Sequence, residues 1–205
     1  MTNPWKEIPL SDYENHMQLD SVMQLQTMNQ MMKEQFNTYP VHSTIILGVA
    51  GGNGLEHIDK NKYKKVYGID INKAYLKAVT KRYSALSDRL ECIALNLIEE
   101  TDKLPQAELL VANLLIEYIG YDCFKKAVEQ IQPLYVSCII QINIDDTWVS
   151  NSPYLHVFDN LDKVHHQMEE SLVIQTLEEI GYHLIKQIET PLPNGKQFVR
   201  LEFKQ

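Results

Sequence analysis

Cysteine is scarce in this chain: three in 205 residues, Cys92, Cys123 and Cys138, each in an apolar setting and with no C-x-x-C pair. That argues against a disulfide-stapled module and against a cysteine zinc site, so no metal is expected; free thiols fit a reducing, cytoplasmic setting. Basic charge is short too. Nineteen Lys and Arg against 27 Asp and Glu leave a net charge of -8, whereas a general nucleic-acid binder is normally basic. No apolar run approaches a membrane span, and Met1 to Trp5 lacks the charged start and apolar centre of a secretion signal, so no membrane association is expected. Lys60, Lys62, Lys64, Lys65, Lys73, Lys77, Lys81 and Arg82 form one local basic cluster, read as a solvated helix face rather than an RNA footprint.

What is present is a chain of 205 residues, enough for one domain with a substantial core and a small N-terminal appendage. Its most informative stretch runs from Thr44 to His57, an apolar strand breaking into small residues at every second position: Gly48, Ala50, Gly52 and Gly54. A second apolar run ends in Asp70, sixteen residues past Gly54. A buried strand, a tight turn and a carboxylate delivered to the same sheet edge make a pocket for an adenosine-bearing cofactor, because a carboxylate accepts hydrogen bonds from vicinal hydroxyls. The dinucleotide fingerprint G-x-G-x-x-G fits in no register, which disfavours an NAD-binding oxidoreductase. The phosphate-cradling G-x-x-x-x-G-K-S/T also fails, since Asn53 occupies its second glycine position and no Lys follows.

The alternation of small residues resembles the first motif of class I S-adenosylmethionine-dependent methyltransferases, and the resemblance extends from Thr44 to the C-terminus. It implies S-adenosyl-L-methionine as cofactor, with Gly48, Ala50, Gly52 and Gly54 forming the turn, Asp70 on the ribose hydroxyls with Ile71 beside it, and Asn96 and Leu97 at the adenine. Glu108 to Leu115 is similar to the fourth strand and its polar exit, placing Asn113 against both cofactor and transferable methyl. Gly48 departs from the pattern: the family usually has an acid there, so another residue must satisfy the cofactor's amino group. The tail from Gly181 is similar to the family's terminal hairpin. The implied fold is a Rossmann-like three-layer αβα sandwich with a mostly parallel seven-stranded sheet and an antiparallel C-terminal strand.

Periodicity divides the chain into a helical segment, residues 1–40, and the sheet domain, residues 41–205. Ser11 and Glu14 have capping-box spacing, which predicts a helix from Asp12, and Val22, Leu25, Met28, Met32 and Phe36 line one face until Pro40 ends it. This helix is read as packing surface, as a lid, or as both. Strands are predicted at Thr44–Leu47, Lys65–Ile69, Leu90–Leu95, Leu109–Ala112 and Tyr135–Ile142, with a hairpin of His183–Glu189 and Gln197–Phe203. Helices are predicted at Leu55–Asp59, Lys73–Ser84, Cys123–Gln130 and His165–Ile180.

Methyl transfer is an in-line displacement that depends chiefly on alignment, so no fixed triad is expected. By position, Asn113 is the first candidate for catalysis, with Glu117 and Tyr118 a turn further as general base or orienting phenol. Tyr13 and His16 on the first helix and Asn143 after the fifth strand are candidates for the substrate wall; Glu14 and Asp145 are weaker ones, and Asp146 reads as ordinary loop polarity. His57 reads as exposed, His165 and His166 as solvated on a helix, and Tyr154, His156 and Phe158 as a substrate rim. A small-molecule acceptor is expected. Ala112-Asn113-Leu114 also resembles a stretch of methyltransferases acting on ribosomal protein, so protein or tRNA acceptors stay as alternatives. So does a non-catalytic cofactor- or partner-binding module. Oligomeric state is left open.

Overall fold

The apolar runs become the strands of one sheet. The computed structural model describes residues 3–143 and 148–205, and in it these strands are β1 (Ser43–Leu47), β2 (Lys65–Asp70), β3 (Leu90–Ala94), β4 (Leu109–Asn113), β5 (Tyr135–Ile142), β6 (His183–Pro191) and β7 (Gln197–Lys204). They form a seven-stranded sheet in the order β3-β2-β1-β4-β5-β7-β6. Strands β1 to β5 pair in parallel, whereas β7 runs antiparallel to both β5 and β6.

Neighbouring residues of the inner strands feed opposite faces of the sheet, which is why those strands are apolar without alternation. Ile45, Leu47, Leu110 and Ala112 pack towards Phe124, Val128 and Val173, on helices α5 (Ile116–Ile131) and α6 (Glu170–Glu178), which follow the one-turn α4 (Leu97–Glu100). Ile46, Leu109 and Val111 pack towards Met28, Met32, Phe36 and Val79, on helices α2 (Gln24–Thr38) and α3 (Lys73–Arg82). The result is the expected three-layer sandwich. Phe36 is fully buried, worth roughly 1.5–3 kcal/mol for that side chain alone. Arg200 on β7, 1% exposed, pairs with Glu34 of α2 at 2.8 Å and with Glu202 at 3.1 Å, tying α2 to the sheet.

The N-terminal segment differs from the expected single helix. Helix α1 (Leu10–Met17) starts after Pro9, so Ser11 lies inside it and caps nothing, while Glu14 pairs with Arg82. A break follows in which Met23 adopts φ +53°, and Val22 is buried in that break rather than on a helix. Leu25, Met28, Met32 and Phe36 do share α2.

Three further elements differ in extent. The glycine turn opens only a three-residue 3-10 turn, Leu55–His57. Helix α5 begins at Ile116 and is broken at Gly120, whose φ of +76° is outside the helical region and open to glycine. His165 and His166 precede α6 instead of belonging to it. Strand β3 is a sheet edge and only half-buried. Among the described residues, no helix is long and apolar enough to cross a membrane.

Candidate functional site

Order in the sheet reverses between β1 and β4, and in such sheets the crevice outside the carboxyl ends at this point is the ligand site. Here it is a cleft of about 690 Å³ lined by the exits of β1, β2, β3 and β4. The turn after β1 is drawn in by Gly48 N–H and Val49 N–H, both donating to Ile69 O at 2.9 and 3.0 Å. Gly48 and Ala50 take φ of +72° and +46°, which turns the Ala50 amide outward. That amide donates to Asp70 Oδ2 at 2.9 Å, and Asn72 N–H donates to Asp70 Oδ1 at 2.8 Å. Glycine turn and acid therefore meet directly. Burial nonetheless raises the Asp70 carboxyl above its ordinary value, against the pull of these amides.

Gly48, Ala50, Asp70, Ile71, Asn96, Leu97 and Asn113 all line this cleft. Gly52 and Gly54 do not line it; they make room for packing instead. A Cβ on Gly52 would come within 2.6 Å of the Tyr83 ring, and one on Gly54 within 2.7 Å of Met32. Two features of the lining suit a bound nucleoside. Tyr75 Oη is buried with no hydrogen-bond partner among the described residues, and Ile98 stands 57% exposed at the wall. No Lys or Arg lines the cleft among the described residues.

Asn113 closes β4, but its amide is paired head to tail with Gln35 of α2, each Nδ2 or Nε2 donating to the other's carbonyl oxygen at 3.0 Å. Gln35 also donates to Ser137 Oγ at 2.9 Å. The pair ties α2 to the sheet beside the cleft.

A second cavity, about 570 Å³, adjoins the first and shares with it the wall formed by Trp5, Tyr13, Leu114 and Tyr118. Its side chains come from the N-terminal segment, from α5, and from the stretch after β5. Glu117, His16 and Tyr118 lie here, and Asn143 does not: it accepts from Gln141 Nε2 at 2.6 Å and from Lys196 Nζ at 3.1 Å. Asp145 and Asp146 lie outside the described residues. Glu117 Oε1 accepts from Gln141 N–H at 2.9 Å, while Oε2 is buried without a partner among the described residues. Burial pushes the Glu117 carboxyl up to about 7. His16 donates to or accepts from Ser152 Oγ through Nδ1 at 2.8 Å, and burial lowers its pKa.

His165 is a correction to the sequence reading. It is half-buried in this cavity, stacked on Trp148 at 4.0 Å, and pushed down to about 4 by burial. Phe158 of the expected rim lines the cavity, whereas His156 is exposed and Tyr154 lies outside the lining. His57 is held by Asn29 Oδ1 at 2.8 Å, away from both cavities. Of the basic cluster, Lys65 pairs with Glu91, Arg82 with Glu14, and Lys62 Nζ donates to Phe36 O. Trp5, Tyr75, Trp148 and Gln35 carried no motif; the chain's two tryptophans, both lining the second cavity, were the one available signal.

No protein-family model and no curated protein matches the chain. Solved structures do. The cyclase SpnF is similar over 90% of this chain and 82% of its own, with a TM-score of 0.67 at 7% identity. The cyclopropane synthase MmaA2 from Mycobacterium tuberculosis is similar over 93% and 88%, with a TM-score of 0.66 at 9% identity. Geranyl diphosphate C-methyltransferase from Streptomyces coelicolor A3(2), in complex with S-adenosyl-L-homocysteine, is similar over 87% and 80%, with a TM-score of 0.64 at 7% identity. The fold is that of the class I S-adenosylmethionine-dependent methyltransferases.

Proposed function

We propose that the protein is an S-adenosylmethionine-dependent methyltransferase acting on a small molecule. The observation that carries the reading is the contact of Asp70 with the Ala50 amide, which puts a half-buried acid and a small-residue turn on one cleft. Asp70 has lone pairs left for ribose hydroxyls, Ile71, Leu97 and Ile98 offer an apolar bed for the base, and Tyr75 Oη supplies an unused hydrogen-bonding group. The methionine end would lie along Gly48 and Ala50 towards Asn113.

Charge favours the same cofactor. A dinucleotide pyrophosphate needs cationic side chains or the start of a sustained helix, and the turn here leads only to three residues of 3-10 helix. A sulfonium, by contrast, is favoured by Asp70, Glu117 and the aromatic wall. When bound, S-adenosylmethionine supplies an electrophilic methyl carbon: the acceptor's lone pair forms the new bond while the carbon–sulfur pair stays on sulfur.

The chain's own residues orient and exclude water. The shared wall of Trp5, Tyr13 and Tyr118 lies where donor and acceptor would meet, with Trp5 set edge-on to Tyr118 at 4.9 Å. Asn113 acts here as a positioning residue through Gln35, since both ends of its amide are engaged. Trp5 O accepts from Asn72 Nδ2 at 2.9 Å, which fastens the N-terminal segment over the cleft as a lid. The second cavity, concave and about 570 Å³, suits a small acceptor better than a protein or tRNA.

The test compares thermal protection by S-adenosylhomocysteine and by NAD. At about 100-fold over its dissociation constant a ligand stabilises by roughly 2.7 kcal/mol, and that protection is expected from S-adenosylhomocysteine alone. Protection by NAD without protection by S-adenosylhomocysteine would overturn the assignment. Cofactor binding with no turnover over a broad acceptor panel would leave the binding-module reading.

A further inference from the structure

The second cavity contains a buried acid of which the fold uses one oxygen and leaves the other without a partner among the described residues. Glu117 is 3% exposed, and its Oε2 has no hydrogen-bond partner among the described residues. Around it stand the rings of Trp5, Tyr13, Tyr118, Trp148, Phe158 and His165. Trp148 and His165 lie parallel within 12°, and Tyr118 meets Trp148 edge-on at 6.3 Å. No Lys or Arg lines this cavity among the described residues, and burial holds His16 and His165 towards their neutral forms. Lys196, near His165, donates to Asn143 instead of lining the space.

These groups discriminate by charge. Among the described lining residues a phosphate or carboxylate would meet no cationic side chain, and it would sit against Glu117 in a desolvated setting. A cation is attracted by the aromatic faces and by the carboxylate together. An uncharged alcohol gains the hydrogen bond to Oε2 but neither electrostatic contribution.

We infer that this cavity binds a small amine with an apolar or aromatic body and no anionic group, its nitrogen opposite Glu117 Oε2, and that Glu117 accepts the nitrogen's proton. Desolvation makes the carboxylate more basic and an ammonium held beside it more acidic; it thereby works against the attraction that keeps both charged, and lets the proton pass to Oε2 and free the nitrogen lone pair. The balance closes: nitrogen gains a methyl group and loses a proton, the sulfonium loses its charge, and Glu117 ends protonated until it exchanges with water. The proton-transfer step rests on the methyltransferase reading; the binding step does not.

Trp5 and Trp148 are the only two tryptophans in the chain and both line this cavity, so tryptophan fluorescence reports its occupancy. Three probes share one body: phenethylamine, phenethyl alcohol and phenylacetate. Phenethylamine is expected to bind at least about tenfold more tightly than phenylacetate, with the alcohol between. Glu117→Gln keeps the acceptor for the Gln141 amide, and is expected to weaken phenethylamine by about tenfold while leaving the alcohol within about twofold. Phenylacetate binding as tightly as the amine, an amine affinity untouched by Glu117→Gln, or no fluorescence change with any probe overturns the inference. Calorimetry with S-adenosylhomocysteine on the same samples checks the fold of the variant and separates the two readings. Cofactor binding without the amine preference sinks only the acceptor assignment; amine preference without cofactor binding sinks only the cofactor.

Discussion

The two cavities are built by different means. The cleft at the ends of β1 and β2 is made largely of backbone and short side chains, held by a hydrogen bond from the turn to Asp70 over a span of twenty residues. The neighbouring cavity is made of large side chains from three remote segments: Trp5, Tyr13 and His16 from the N-terminus, Glu117 and Tyr118 from α5, and Trp148, Phe158 and His165 from the stretch after β5. A backbone-built cleft recognises one fixed shape and tolerates little change. One walled by side chains from separate segments can be re-cut without disturbing the sheet, which is how a single fold serves different acceptors.

The largest expected effect sets stability against function in the second cavity. Glu117 has a folded pKa of about 7 against an ordinary 4.5, so its charge opposes folding. The cost is absent below the unfolded value, grows as pH rises, and is complete above the folded value. Glu117→Gln removes it, and the variant's stability relative to the parent is expected to improve by about 2–3 kcal/mol between pH 5 and pH 8, read by urea denaturation at each pH. A pH-independent difference would show that the carboxyl is not desolvated.

In the first cleft, Asp70→Ala is expected to weaken S-adenosylhomocysteine by roughly 1.5–3 kcal/mol, because hydrogen bonds to a charged acceptor are lost and the Ala50 amide loses its partner. Calorimetry decides this. Unchanged affinity in a folded variant would remove Asp70 from the site and dissolve the contrast between the cavities.

Gly54→Ala sharpens the same contrast from outside the cleft. A side chain at φ +86° pressed against Met32 is expected to cost about 1–3 kcal/mol of stability. Affinity of the remaining folded protein for S-adenosylhomocysteine should hardly change, whereas a loss matching that of Asp70→Ala would place Gly54 in the ligand site. The smallest effect is expected at the partly exposed Glu14–Arg82 pair, where Glu14→Gln should cost no more than about 1 kcal/mol by thermal melting, since solvent screens it.

Much of the first cleft was legible because its parts are local. Gly48, Ala50 and Asp70 are fixed by the spacing of two adjacent strands, and period and apolarity mark those strands without help from the rest of the chain. Gly52 and Gly54 share the motif but serve Tyr83 and Met32, partners that spacing does not reveal. Asn113 was legible as a position, the end of β4, but not as the partner of Gln35, seventy-eight residues earlier. His165 looked like part of a solvated helix because periodicity ran on through it; the chain instead turns inward and stacks the ring on Trp148.

Sequence alone determined the sheet, its strand types and the meeting of a small-residue turn with Asp70, because backbone sterics, burial on two faces and strand length act over short spans. Tertiary structure alone decided the second cavity, the ionisation of Glu117 and the neutrality of His165. Desolvation depends on which distant side chains close over a group, and no local pattern records them.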